Sequence, residues 1–108
     1  MDDQEFKNAS SHAMEALFKK LSKATETYEF EPDFNAGALS IEFDEPKAKF
    51  VVSPNAPVRQ IWVSAHSRSF KLDWDPGRSA FVLPATGETL DQMIAGAIGQ
   101  HLNEPVTL

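Results

Sequence analysis

The chain has 108 residues, no cysteine, and 42% hydrophobic against 24% charged residues. A chain of this size buries roughly two-thirds of its unfolded surface, enough for one core without staples, so a single domain over residues 1–108 is expected. The missing thiols exclude a disulfide framework, a thiolate metal site and a cysteine nucleophile. A net charge of −6 repels nucleic acid. The apolar runs are too short to cross a bilayer, which argues against a membrane partner. The opening "MDDQEFKNAS" has no basic, apolar or Arg-rich targeting pattern, so the cytoplasm is the expected location.

Residues 3 to 23 read as an amphipathic helix, because Phe6, Ala9, Ala13, Leu17 and Leu21 recur at steps of three and four with Met14 beside them. Asp2 and Glu5 form a capping box at its start. The period then changes to two. In "YEFEPDF" the residues Tyr28, Phe30, Pro32 and Phe34 alternate with Glu29, Glu31 and Asp33, placing three carboxylates on one strand face about 7 Å apart. Pro32 cannot donate to a ladder and marks an edge strand. "NAG" supplies a tight turn with Gly37 available for positive φ, and "ALSIEF" alternates again with Leu39, Ile41 and Phe43 inward. "AKFVVS" is a third strand, and "SPNAP" is a loop leading to the fourth.

That fourth strand holds a contradiction of hydropathy. Val58, Ile61, Val63 and Ala65 form its inward row, which leaves Arg59, Gln60, Trp62 and Ser64 to face the other way. A fifth strand sends Phe70, Leu72 and Trp74 inward and Lys71 and Asp73 outward; after the Pro-Gly turn "DPGRS", "AFVL" is the sixth. Leu90, Met93, Ile94, Ala97, Ile98 and Leu102 make the stripe of a second helix, capped by Thr89 with Gln92. Gly96 and Gly99 weaken that helix by about 1 kcal/mol each relative to Ala, and are read as room for a close neighbour.

The order is helix, six strands joined by short turns, helix. Short turns pair consecutive strands antiparallel. The expected fold is therefore α+β: a two-layer sandwich with a six-stranded antiparallel sheet and both terminal helices on one face. If Ile61 and Val63 point at the helices, Trp62 points at solvent. It then either lies flat to cover its neighbours or serves as an anchor for a protein partner, the preferred reading, since Trp and Arg are enriched at binding hot spots.

No phosphate-binding glycine loop or G-x-S-x-G elbow is present. His12, His66 and His101 lie singly, without the spacing of a zinc helix. Conventional catalysis is not expected. The acids are concentrated: residues 1 to 46 hold eleven against four lysines. Glu29, Glu31 and Asp33, with Glu42 on the hairpin partner, offer oxygen donors to a hard cation such as ferrous iron, although solubilising charge is the simpler account.

"NAGALSIEF", "KFVVSPNAPVRQIWVSAHSRSFKLDW" and "FVLPATGETLDQMI" together resemble the frataxin family, the most specific element being Gln60-Ile61-Trp62. The resemblance covers nearly the whole chain and implies the helix, antiparallel sheet, helix order already read. It implies an accessory or regulatory protein of iron–sulfur cluster assembly that docks on the cysteine desulfurase and scaffold complex. The alternative it implies is an iron donor or buffer. Partner contacts carry over onto Asn55, Gln60 and Trp62, and onto Lys71, where a basic residue is expected; Arg59 beside them joins the set. Iron, as Fe(II) and Fe(III), is implied to bind weakly at an acidic surface, here Glu15, Glu26, Glu29, Glu31 and Asp33. This chain departs from the pattern in "LFKKLSKATE", where Lys19, Lys20 and Lys23 stand in place of carboxylates. Iron binding is therefore expected to be weaker or moved toward the first hairpin, and ferroxidase activity ranks below both readings. A monomer is expected, with metal-dependent oligomers as the alternative.

Overall fold

Asp2 starts the first helix as the sequence suggests. Its carboxylate accepts from the Glu5 backbone N–H while the Glu5 side chain accepts from the Asp2 N–H. That backbone bond, stronger to the ionised form, holds the Asp2 carboxyl below its ordinary pKa. The cap therefore contributes fully above the unfolded-chain pKa and is lost as pH falls through the lower folded value. In the computed structural model, which describes residues 1–108, the helix α1 runs Asp3–Ala24. It buries Phe6, Met14, Leu17, Leu21 and Ala24. It also buries Ser10, which the apolar pattern omits; its hydroxyl donates back to the Lys7 carbonyl at 3.2 Å, so the helix itself satisfies it.

Six strands follow: β1 Glu31–Asn35, β2 Ala38–Asp44, β3 Lys47–Asn55, β4 Gln60–Ala65, β5 Arg68–Asp75 and β6 Ala80–Val82. Each pairs antiparallel with the next, so the sheet order is the chain order, with β1 and its Pro32 at one edge. The helix α2 runs Leu90–Leu102 from a capping box in which Thr89 accepts from the Gln92 N–H and Gln92 accepts in return. One apolar cluster joins Phe6, Leu17 and Leu21 of α1 and Ile94 and Ile98 of α2 to Leu39, Ile41, Phe43, Phe50, Val52, Ile61, Val63, Leu72 and Phe81 of the sheet. Within it Phe6 meets Phe81 edge-on at 5.9 Å and Phe43 meets Phe50 at 5.0 Å, the arrangement the ring quadrupole favours. The two-layer α+β architecture is as expected.

Four local readings need correction, the first being that Ser53, Pro54 and Asn55, read as loop, continue β3. Val58 is not inward: Ala56–Val58 form a single 3₁₀ turn between β3 and β4, and Val58 is 52% exposed. The proline at position 57 and the left-handed Arg59 (φ 51°) close that turn, so the alternating pattern starts only at Gln60. The first strand is shorter than read, beginning at Glu31, although the alternation of half-buried and exposed residues extends back to Tyr28. Of the two glycines of α2, only Gly99 makes room for a close neighbour, and that neighbour is the chain's own tail. Gly96 has open space where a Cβ would stand. At Gly99 a Cβ would lie 2.8 Å from the Glu104 carbonyl oxygen, because the chain after α2 turns back at Asn103 (φ 58°) and lays Val106 against the helix.

The two glycines should therefore respond in opposite senses. Gly96→Ala should stabilise the protein by about 1 kcal/mol through helix propensity. Gly99→Ala should destabilise it by about 1–3 kcal/mol through overpacking against backbone. Paired urea melts check this, and equal signs would disprove the tail contact.

Candidate functional site

The face of the sheet turned away from the helices can be read row by row from the register. Glu31 lies opposite Glu42, and Glu42 opposite Lys49. The next row is Asp33, Ser40, Val51, Ser64 and Ser69. Ser53, Trp62 and Lys71 form a third, and Asn55, Gln60, Asp73 and Val82 a fourth. Acids thus gather toward the β1 edge, while an aromatic and amide cluster occupies β3 to β5.

Trp62 is 37% exposed and points outward between buried Ile61 and Val63. Its indole Nε1–H donates to Gln60 Oε1 at 2.9 Å, and Gln60 Nε2 donates to Asp73 Oδ1 at 2.9 Å. The Lys71 ammonium stands 4.9 Å from the indole centroid, a cation–π contact worth about 0.5–1 kcal/mol at an exposed site. Asn55 sits beside this group as the register partner of Gln60. The structure thus brings Asn55, Gln60, Trp62 and Lys71 together.

Arg59 is removed from that set. A strand residue one before Gln60 cannot share its face, and Arg59 adopts a left-handed conformation that carries its guanidinium to Asp3 at the start of α1, 2.8 Å away. The pairing partner lies far away in sequence, so no local pattern announces it.

The acids divide likewise. Glu29, Glu31, Glu42, Asp44 and Glu45 line one open groove together with Phe30 and Leu102. Asp33 continues the Glu31 face but faces Ser40 rather than another acid. Glu26 belongs to a separate recess with Lys20, Lys23 and Tyr28, and Glu15 is exposed on α1. Asp44 and Glu45 were missed as groove residues; the hairpin register, which puts Glu31 against Glu42, is the signal that would have found them. Lys49 approaches Glu42 at 3.8 Å and offsets part of the charge. No three His, Asp or Glu side chains converge to enclose a metal ion. The donors are hard oxygens, suited to a hard cation held loosely and in water.

Lys20 pairs with Asp91 in the first turn of α2 and so ties the two helices together. No helix is long and apolar enough to cross a membrane.

The family model for a frataxin-like domain matches residues 1–104. The chain belongs to the frataxin-like family. Among its relatives, the iron–sulfur cluster assembly protein CyaY of Azotobacter vinelandii is 32% identical over 75 residues, covering 66% of this chain and 67% of that protein. The protein of the same description from Pseudomonas entomophila is 26% identical over 97 residues, covering 90% and 83%. That from Thioalkalivibrio sulfidiphilus is 23% identical over the full 108 residues of both. The solved frataxin of Psychromonas ingrahamii superimposes with a TM-score of 0.77 over 99% of this chain and 97% of its own, at 21% identity, which supports the frataxin fold. The family resemblance read from Gln60-Ile61-Trp62 and its flanks is thus borne out.

The like-charged pair Glu31 and Glu42 costs the frataxin-like sheet stability, because opposed carboxylates repel across a ladder. Glu31→Gln should raise stability by about 0.5 kcal/mol at low ionic strength. The gain should shrink in salt. Thermal melts at two salt concentrations check it, and a destabilised variant would contradict the placement.

Proposed function

We propose that this protein is an accessory factor of iron–sulfur cluster assembly that docks on the cysteine desulfurase and scaffold complex through the outer sheet face. The names of the curated relatives support the pathway. The observation that carries the docking reading is the outward indole of Trp62, held by Gln60 and Lys71 on a face that no element of the chain covers. A large aromatic ring already fixed in place loses little conformational freedom on association, and its remaining exposed surface becomes apolar burial. Asn55, the register partner of Gln60, adds a further amide beside this group for hydrogen bonding at the rim.

Trp62→Ala should leave the far-ultraviolet spectrum and melting temperature nearly unchanged, since the ring lies outside the core. Capture of purified cysteine desulfurase should weaken by about 2 kcal/mol or more, the size of an interface hot spot. Undiminished binding would reject the reading.

The second reading is a carrier of iron, and the groove of Glu29, Glu31, Glu42, Asp44 and Glu45 favours it. Fe(II) or Fe(III) would be cargo on solvated carboxylates, bound weakly because the donors do not enclose it. Asp33 extends that surface. Glu15 and Glu26 lie outside the groove, and Glu26 shares its recess with two lysines that repel a cation. An anaerobic Fe(II) titration of the double variant Glu29→Gln, Glu31→Gln should show weaker binding than the parent chain, whereas Glu26→Gln should match the parent. Equal affinity in the double variant and the parent would end the claim.

A further inference from the structure

The bonds around Trp62 have a direction. An indole N–H can only donate and a carboxylate can only accept, so the amide between them has one satisfactory orientation. Gln60 adopts it, with Oε1 toward the Trp62 Nε1–H and Nε2 toward Asp73 Oδ1, both at 2.9 Å. Turned over, the amide would set an N–H against the indole N–H and an oxygen against the carboxylate. Asp73 thus makes the wrong orientation of Gln60 doubly unfavourable. With an apolar side chain at 73 only the indole N–H still selects the orientation, the amide loses its second anchor, and the bond to the indole edge opens more often.

We propose that Asp73 is a positioning residue of the docking face, acting through Gln60 to lock the Trp62 indole so that a partner meets its ring and not its N–H. The proposal rests on the docking reading above. The indole N–H is already bonded within the chain, so water can leave the site without orphaning a donor, and the partner needs no acceptor for it. The partner it fits is a protein surface with an apolar pocket for the ring and a carboxylate at the pocket rim. The carboxylate follows from Lys71: its ammonium rests over the indole and has no acidic side chain within ion-pair distance, while the Asp73 carboxylate is committed to Gln60. A cation left in that position is complementary to an incoming acid.

The chain has two tryptophans, Trp62 and Trp74, so nitrogen-15 spectra give two indole signals and Trp74 serves as the internal reference. Asp73→Leu should speed the exchange of the Trp62 indole proton with water about tenfold and weaken binding of purified cysteine desulfurase about five- to tenfold. Asp73→Asn, whose side-chain oxygen still accepts from Gln60, should restore both. A residue that merely supports the fold would lower the melting temperature without freeing the indole proton. Unchanged Trp62 exchange in Asp73→Leu overturns the proposal, as does freed exchange with full affinity while Trp62→Ala abolishes binding. Freed exchange together with full affinity of Trp62→Ala would instead sustain the relay and overturn the docking reading. Lys71→Gln should bind more weakly and with less response to salt; affinity equal to the parent removes the acidic rim.

Discussion

Both helices lay their apolar stripes on the same side of one sheet, and this makes side-chain parity along each strand the governing constraint of the molecule. Every strand residue either faces the helices or faces water, and a one-residue slip would exchange the two sets. Leu39, Ile41 and Phe43 on β2, Phe50 and Val52 on β3, and Ile61, Val63 and Ala65 on β4 all fall on the helix side and are all buried. Trp62 is assigned to the other side by the same rule, not by its own preference. The energy that holds it outward is the burial of Ile61 and Val63 beside it, at roughly 1.5–3 kcal/mol for each such side chain. An exposed indole is thus inexpensive to keep where its flanking residues already determine the register.

Parity is also what made much of the molecule legible from sequence. The capping boxes at Asp2 and Thr89, the edge position of Pro32, the inward rows and the outward Trp62 all follow from patterns spanning a few residues. What was not legible depends on contacts between distant residues or on backbone that leaves the pattern. Arg59 pairs with Asp3, 56 residues away in the sequence. Val58 drops out of the strand because a 3₁₀ turn precedes it, and Gly99 is required by the tail that follows α2. His66 and Ser67 form a turn with positive φ at both positions, where Gly or Asn would be expected; the His66 Nε2 sits 3.0 Å from the Ala97 carbonyl, tying that turn to α2. Periodicity reports which face a residue takes, and it is silent about partners.

The same distinction explains the uneven reading of the acids. Seen along the sequence, Glu29, Glu31 and Asp33 form one row, and Glu15 and Glu26 are additional charges nearby. In the sheet, the hairpin brings Glu42, Asp44 and Glu45 to Glu29 and Glu31, while Asp33 faces a serine and Glu26 keeps company with Lys20 and Lys23. Charge density is set by cross-strand neighbours, and these are fixed by register. Lys20 is instructive in the opposite sense: a lysine that reads as the loss of an acidic helix face is a tether between α1 and α2 through Asp91.

The interior itself carries almost no chemistry. Its one buried polar side chain, Ser10, bonds back to its own helix, and no buried polar side-chain atom lacks a partner. The groups able to recognise something are therefore those that parity sends outward, and they fall on one continuous surface: carboxylates toward β1, then Trp62, Lys71, Gln60 and Asp73 across β4 and β5. Because that surface contributes little to the core, its residues can be arranged for recognition rather than for packing. The Asp73, Gln60 and Trp62 chain shows the consequence, since exposed Asp73 and Trp62 and half-buried Gln60 satisfy one another in a single direction. Such order on a solvated face is what a docking surface requires: rigidity supplied before the partner arrives.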